Sequence, residues 1–157
     1  MKTQIGIKPE DSVHVADSLN KLLADEHVLY IKTRNAHWNV EGHDFYMLHK
    51  FFEDQYGQLE EIIDTVAERI RSIGHFPIAT MQDFLKLTHL NEQSREKNDS
   101  LSLIKDLLED HQSTIIYLRE NIDRFTNEWN DLGSADFITG LMEAHEKMAW
   151  MLRAHLS

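Results

Sequence analysis

Residues 44–74 are DFYMLHKFFEDQYGQLEEIIDTVAERIRSIG, and their apolar side chains recur at the spacing of a helix. The apolar positions are Phe45, Leu48, Phe52, Leu59, Ile63, Val66, Ile70 and Ile73. On a helical wheel they fall on one side, as in an amphipathic helix that packs against a core. Asp44 can cap the start, and Gly74 with Pro77 beyond it predicts the end. Such a helix is about 45 Å long.

The rest of the chain has the same helical periodicity, and alternating strand patterns are scarce. The other predicted elements are a first helix from about Ser12 to about His37, a short helix that opens with the capping box Thr80-Met-Gln-Asp83, a third long helix from Asp99 or Ser100 to about Phe125, and a fourth that follows Gly133-Ser134 and ends near Leu156. Four long amphipathic helices predict an all-α four-helix bundle, with a short extra helix between the second and third. We expect one domain over residues 1–157, with a short N-terminal extension, residues 1–11.

Composition limits the classes of partner. The 157 residues contain 16 Lys and Arg against 27 Asp and Glu, so the net charge is −11 with histidine neutral. A surface of that sign repels phosphate backbones unless its basic groups are segregated, and no basic tail is present. The absence of cysteine excludes disulfides, thiolate metal sites and cysteine nucleophiles. No apolar run reaches the roughly 20 residues of a membrane helix, and residues 1–11 have no apolar signal region, so we expect a cytoplasmic protein without a membrane partner.

A polar face of the second helix lies beside its apolar face. It contains His49, Glu53, Glu60, Asp64 and Glu68, interrupted by Gly57 and Ala67. Within it, the pairs His49/Glu53 and Asp64/Glu68 are each spaced by four residues, so either pair can converge on one ion. A solvated acidic face is the ordinary explanation. The small residues favour instead a face that another helix approaches closely.

These two pairs are too far apart to serve one ion within one chain. His49 and Asp64 are 15 residues apart, about 22 Å along a helix. A two-fold axis centred between Gln58 and Leu59 superimposes the first pair of one chain on the second pair of an antiparallel copy. The sequence therefore favours an isologous dimer with two identical shared sites. Chance symmetry among common acidic residues is the alternative.

His37 and His49 flank the predicted turn between the first two helices symmetrically, so we expect them to lie close together. A histidine near a helix C-terminus is also explained by the helix dipole. Five imidazole and carboxylate groups favour a metal site for Fe(II), Mn(II) or Zn(II); they belong to His37, His49, Glu53, Asp64 and Glu68. The other histidines are expected to be structural or solvated, namely His14, His27, His43, His75, His89, His111, His145 and His155.

Several chemistries lack their motifs. No Glu is followed three residues later by His, so the di-iron site inside a bundle, which uses two Glu-x-x-His motifs, is not expected. The glycine patterns of nucleotide-binding loops, the zinc-protease motif His-Glu-x-x-His and the hydrolase motif Gly-x-Ser-x-Gly are also missing. We therefore expect neither haem nor a nucleotide as cofactor.

The sequence resembles the Dps family, the mini-ferritins of the ferritin-like superfamily. The resemblance rests on His37-Trp-Asn-Val-Glu-Gly-His-Asp-Phe45, then Leu48-His49, then Asp64-Thr-Val-Ala-Glu-Arg69. It extends over essentially the whole chain, including the short extra helix and Ala135-Asp-Phe-Ile-Thr139 at the opening of the last helix. It implies a ferritin-like four-helix bundle.

The resemblance also implies a function. The resemblance implies a hollow dodecamer of two-fold dimers that binds Fe(II) between chains, oxidises it preferentially with hydrogen peroxide rather than oxygen, stores ferric iron and protects the cell from oxidative damage. The family's ferroxidase ligands match His37, His49, Glu53, Asp64 and Glu68. Many members have Asp where this chain has Glu53, and the extra methylene can shift the carboxylate by about 1 Å. Trp38 matches the family's tryptophan beside the site, although a packing aromatic is the alternative.

The family's three-fold pores are acidic near the start of the last helix. Glu128, Asp131 and Asp136 occupy that region here, and Asp136 is the best match. An acidic loop with a helix cap is the alternative. Members that bind DNA usually use Lys/Arg-rich tails, whereas a dodecamer of this chain would carry roughly −130 formal charges. We therefore expect no strong DNA binding; a nucleoid-packing protein with little ferroxidase activity is the alternative.

Overall fold

A computed structural model describes residues 3–92 and 97–157; residues 1 and 2 of the expected N-terminal extension lie outside this range. The described residues form helices joined by turns, with one isolated parallel bridge between Glu41 and Asp99. The helices are α1 (Pro9–Asn39), α2 (Phe45–Ser72), α3 (Met81–Leu87), α4 (Ser100–Asp123) with a π-helical turn (Arg124–Glu128) after it, and α5 (Leu132–Ala154). The predicted four long helices and the short extra helix are all present.

Helix starts follow the chemistry of the first turn. α1 begins at Pro9, before the predicted Ser12, because proline suits this position and Glu10 follows it in the first turn. Thr80 caps α3 as predicted, since its Oγ1 accepts a hydrogen bond from the Asp83 amide at 3.1 Å. Asp99 does the same for α4, through the Ser102 amide at 3.0 Å.

One predicted helix start and one predicted cap are different in the structure. α5 begins at Leu132, so Gly133 and Ser134 lie inside the helix rather than before it; the cap is Asp131, which accepts from the Ser134 amide at 2.9 Å. Asp44 makes no side-chain cap on α2. Its Oδ1 instead accepts from the Ser100 hydroxyl at 2.7 Å, which ties the α1–α2 turn to the start of α4.

The four long helices form a bundle in which α1 packs against α2 and α4 packs against α5. α1 also packs against α3 and α4, and therefore has neighbours on several sides. This explains why α1 buries polar residues such as Asp25, Glu26 and Thr33, although they interrupt its apolar stripe. No helix in the described segments has the length and apolar character needed to cross a membrane.

A polar layer crosses the centre of the bundle. Glu26 of α1, His111 of α4 and His145 of α5 are each 0% exposed. His145 Nε2 lies 2.9 Å from Glu26 Oε1, and His145 Nδ1 lies 3.0 Å from His111 Nδ1. The expectation that these two histidines are structural or solvated is therefore resolved: both are buried, and both belong to one hydrogen-bonded chain across three helices.

This layer makes the stability of the protein depend on pH. Burial, and then the neighbouring imidazole of His145, hold the pKa of His111 well below its usual 6.5. Below about pH 6.5 the unfolded chain binds a proton that folded His111 does not, so the free energy of unfolding falls as the pH falls, by up to about 1.4 kcal/mol per pH unit. When the free energy of unfolding is measured with denaturant between pH 7.5 and 5, its slope against pH should be flatter for His111→Gln than for the wild type. The exposed control His43→Gln should keep the original slope; equal slopes in all three proteins would contradict this role for His111.

Candidate metal centre

Two histidines face each other where α1 ends and α2 begins. His37 Nδ1 lies 2.7 Å from the carbonyl oxygen of His49, and His49 Nδ1 lies 2.8 Å from the carbonyl oxygen of His37. Their rings stack with centroids 3.8 Å apart and an interplanar angle of 21°. The short α1–α2 connection therefore brings the two residues together, as the symmetric spacing about the turn predicts.

The reciprocal hydrogen bonds fix the tautomer of both rings. A carbonyl oxygen can only accept, so each Nδ1 must donate its proton. In the neutral imidazole this leaves Nε2 with a free lone pair on both His37 and His49. A backbone carbonyl holding the opposite ring nitrogen is the usual outer-shell arrangement of metal-binding histidines. Each ring can therefore offer Nε2 as a nitrogen donor to a cation.

Glu53 adds a carboxylate to the same end of α2. It lies four residues after His49, and the Lys50 ammonium donates to its Oε2 at 2.6 Å. This hydrogen bond, with smaller contributions from the charges of Lys50, His37 and His49, lowers the pKa of Glu53. Glu53 is therefore an anion at neutral pH, and the Lys50 ammonium partly neutralises it.

Aromatic side chains wall the histidine pair. The Tyr56 ring meets His37 edge-on with centroids 5.2 Å apart, and Phe45 is tilted against His49 at the same distance. The Arg34 guanidinium lies 5.0 Å from the Trp38 ring and 4.7 Å from Tyr56. Trp38 is 60% exposed, so within one chain it does not fill a core.

The remaining two predicted ligands, Asp64 and Glu68, lie on an exposed part of α2 further along the helix. Asp64 lines a groove of about 960 Å³ between α2 and the α3 region. Within the described part of one chain, no group of three or more His, Asp or Glu residues could hold a metal ion. The structure therefore brings His37, His49 and Glu53 to one end of α2 and leaves Asp64 and Glu68 apart from them.

Comparison with known proteins identifies the family of this chain. The sequence profile of a ferritin-like domain matches residues 16–157. DNA protection during starvation protein 2 of Bacillus anthracis is 34% identical over 143 residues, which cover 91% of this chain and 97% of that protein. This chain belongs to the Dps family of ferritin-like proteins. An uncharacterized low temperature-induced protein of Nostoc sp. is 41% identical over 155 residues, 99% of this Dps chain and 87% of the relative.

Solved structures agree with the Dps fold. The crystal structure of a Dps protein from Vibrio cholerae O1 has a TM-score of 0.93 at 31% identity and covers 100% of this chain and 98% of its own. Its description places it in a broad superfamily of ferritin-like diiron-carboxylate proteins. Membership of this superfamily supports iron storage and protection as the general function of the chain, and confirms the ferritin-like four-helix bundle.

The three acidic residues expected near a pore of this Dps chain differ in exposure. Asp131 is 3% exposed, because its Oδ1 caps α5 and its Oδ2 accepts from the Ser134 hydroxyl. The Arg69 guanidinium lies 3.4 Å from the same carboxylate. Asp131 is therefore buried as the cap of α5, in agreement with the alternative of a helix cap, and its role at a pore stays a prediction. Glu128 and Asp136 are exposed.

Some residues of this centre were not selected from the sequence. Lys50 is three residues before Glu53, a helical spacing at which opposite charges meet, so the i,i+3 rule could have found it. Arg34 and Tyr56 lie on different helices, and their contact depends on how α1 and α2 pack. No local pattern in the sequence contains that information.

Proposed function

We propose that this Dps chain forms isologous dimers that oxidise Fe(II) at two identical sites, each shared between two chains. One chain supplies His37, His49 and Glu53, and the partner supplies Asp64 and Glu68. The observation that carries the proposal is the histidine pair, whose Nδ1 protons are held by carbonyls so that both Nε2 atoms are free. Each chain supplies three ligands to one site and two carboxylates to another, so a dimer completes two sites.

The face of α2 between these half-sites supports the close approach of a second chain. A Cβ atom built on Gly57 would meet nothing within 4 Å in the chain itself. Gly57 and Ala67 line the groove with Asp64, and Met81, 66% exposed, lies on its α3 side. An open groove with small residues and exposed apolar groups fits a helix from a second copy, and the antiparallel arrangement aligns the half-sites.

The donor set suits the chemistry of Fe(II). Neutral imidazoles and carboxylates bind Fe(II), and the additional negative charge of three carboxylates favours the Fe(III) product. Hydrogen peroxide accepts two electrons, so two Fe(II) ions and two protons yield two Fe(III) ions and two water molecules. Delivering both electrons from one site avoids the one-electron reduction that releases hydroxyl radical. When Glu53 binds iron in place of Lys50, it completes the half of the site that contains His37 and His49.

Storage of the oxidised iron requires a closed assembly. We propose the dodecamer implied by the family resemblance, built from these dimers, with the exposed carboxylates of Glu128 and Asp136 near an iron uptake pore. An acidic pore focuses the electric field and raises the local Fe(II) concentration. Sedimentation that gives a particle of twelve chains would support this assembly.

The activity is tested by mixing Fe(II) with hydrogen peroxide in a stopped-flow spectrometer. Protein should accelerate the appearance of Fe(III) absorbance well above the rate in buffer, and should suppress hydroxyl-radical adducts of a spin trap. Oxidation no faster than in buffer would contradict the proposal.

Gly57→Trp tests the dimer interface directly. The chain itself has room for a side chain at this position. An antiparallel helix of a second chain crossing here would leave no such room. We expect the variant to remain helical by circular dichroism but to sediment as smaller species, with Fe(II) oxidation lost. The control Gln112→Trp, at an exposed position of α4, should keep the wild-type assembly. A normal assembly for Gly57→Trp would exclude this interface.

DNA packing is the alternative function, and the charge argues against it. With a net charge of −11 per chain, we propose no strong binding to duplex DNA at physiological salt. Purified protein should not retard plasmid DNA near neutral pH without divalent cations. Retardation under these conditions would favour the DNA-binding alternative.

A further inference from the structure

A second group of chemically linked side chains lies away from the proposed metal site. Asp25 of α1 is 0% exposed, and its Oδ1 accepts from the Thr88 hydroxyl at 2.7 Å and from the His89 amide at 2.9 Å. Its Oδ2 lies 2.7 Å from His89 Nδ1. The other nitrogen of this ring, Nε2, lies 2.9 Å from Ser113 Oγ on α4. Asp25, His89 and Ser113 thus form one connected sequence of acid, imidazole and hydroxyl.

The charge of the carboxylate influences which nitrogen of the imidazole carries the proton. Among the described residues Asp25 Oδ2 has no hydrogen-bond partner of good geometry, but its negative charge lies 2.7 Å from His89 Nδ1 and favours the proton on that nitrogen. The neutral His89 ring then presents the lone pair of Nε2 to Ser113, whose hydroxyl must donate. This is the tautomer that a histidine needs to act as a general base toward serine, with the buried acid as a positioning residue.

Ser113 also differs from several threonines of the long helices. Thr33, Thr114 and Thr139 each donate to the carbonyl four residues earlier, at 2.7–3.1 Å. That bond is the usual way to satisfy a hydroxyl inside a helix. The hydrogen bond that the structure gives Ser113 is to His89 instead, which leaves its oxygen directed at the imidazole.

Ser113 and His89 line a pocket of about 270 Å³, and no residue of α2 is among its lining residues. Its other walls are Lys21, Ile116, Tyr117 and Glu120. Lys21 lines the same pocket as Ser113, and its ammonium lies 5.0 Å from the Tyr117 ring. Burial raises the pKa of Tyr117 to about 12, and its hydroxyl is held by the Ser18 carbonyl at 3.0 Å, which makes this ring a fixed neutral wall.

We propose that Ser113 is a nucleophile, activated by His89 and Asp25, that reacts with small carboxylic esters bound in this pocket. Ser113 Oγ forms a bond to the ester carbonyl carbon as its proton passes to His89 Nε2. The bond to the alkoxy oxygen then breaks, and the leaving group takes the proton from His89 Nε2. Water repeats the same steps on the acyl-serine, releasing the carboxylic acid and restoring Ser113.

The setting predicts slow turnover. Ser113 lies within α4, where backbone amides are used in the helix, so Lys21 is the nearby group that can stabilise an oxyanion. Loss of one oxyanion donor costs about 10²–10³ in rate in serine hydrolases. Covalent capture of the serine is therefore a more direct measurement than hydrolysis.

The test is labelling of the intact, iron-free protein with a fluorophosphonate, read by intact mass and peptide mapping. We expect one label per chain, on Ser113, with the rate lowered about tenfold or more in His89→Gln. Ser113→Ala should abolish the label, while Ser102→Ala, which removes a serine of the same helix that pairs with Asp99, should not change it. p-Nitrophenyl acetate hydrolysis should follow the same order.

The opposite results are equally defined. Ser113→Ala removes one oxygen from a partly exposed position, so its folding can be confirmed by circular dichroism and sedimentation before labelling. An unlabelled wild-type protein, or a label that persists in Ser113→Ala, would overturn the proposal. In that case Asp25 and His89 would only anchor the segment after α3.

Discussion

Alanine at both His49 and Asp64 should abolish the acceleration of Fe(II) oxidation by peroxide, lowering the rate by roughly 100-fold or more. In the proposed dimer these residues belong to different halves of the same site, so the double substitution would remove one nitrogen and one carboxylate from both sites. The remaining His37 ring also loses the His49 ring stacked on it at 3.8 Å. Stopped-flow absorbance under peroxide, beside the wild type, measures the loss.

A matched control separates ligand loss from a general charge effect. His43→Ala/Asp54→Ala also removes one histidine and one aspartate from the same part of the chain, and both residues are exposed. This variant should oxidise Fe(II) at the wild-type rate. Equal loss in the two double variants would mean that surface charge, and not a defined ligand set, drives the reaction.

Glu26→Ala should lower the free energy of unfolding by about 3–5 kcal/mol, the largest stability effect that we expect from one substitution. Glu26 and His145 are both 0% exposed, and Glu26 accepts the only bond that the structure gives His145 Nε2, at 2.9 Å. Removing the carboxylate leaves this nitrogen buried without a partner beside His111. The thermal midpoint should fall by on the order of 10 °C, measured at one protein concentration for all variants.

Glu146, the residue after His145, offers a matched comparison for Glu26. Glu146 pairs with Arg119 at 2.6 Å on the surface, with both side chains largely exposed. Glu146→Ala should cost less than about 1 kcal/mol. If Glu26→Ala were as mild as Glu146→Ala, the buried layer would contribute nothing to the stability of the bundle.

The helices of this Dps chain were predictable because their determinants are local. Apolar spacing fixes which face is buried, and the Thr80 cap is formed by residues within one turn of each other. The first turn of α5 shows the limit. Gly133 and Ser134 have turn chemistry, but Asp131 caps the helix and Arg69 from α2 supports it, so the helix begins earlier than the composition indicates.

The proposed ligand set could be selected from the sequence for the same reason, whereas the orientation of its histidines could not. Helical geometry alone places His49 and Glu53 on one face and shows that Asp64 is too far along the helix to share an ion with them within one chain. The tautomer of His37, however, depends on the His49 carbonyl across the hairpin. That contact requires the packed arrangement of α1 and α2.

Long-range polar contacts were beyond the sequence altogether. Glu26 meets a residue of α5 that is 119 positions away, and Asp25 meets His89 at a separation of 64. Neither separation follows from a helical repeat, so histidines such as His89 and His145 were indistinguishable from solvated ones until the fold was known.

The shared site is tested most directly by mixing two inactive proteins. One variant is His37→Ala/His49→Ala and the other is Asp64→Ala/Glu68→Ala; they are unfolded, mixed in equal amounts and refolded together. Half of the resulting dimers contain one chain of each kind, and each of these has one intact site of its two, so about one quarter of the wild-type rate should return. No recovery, although mixed particles are shown by mass spectrometry, would contradict a site built from two chains.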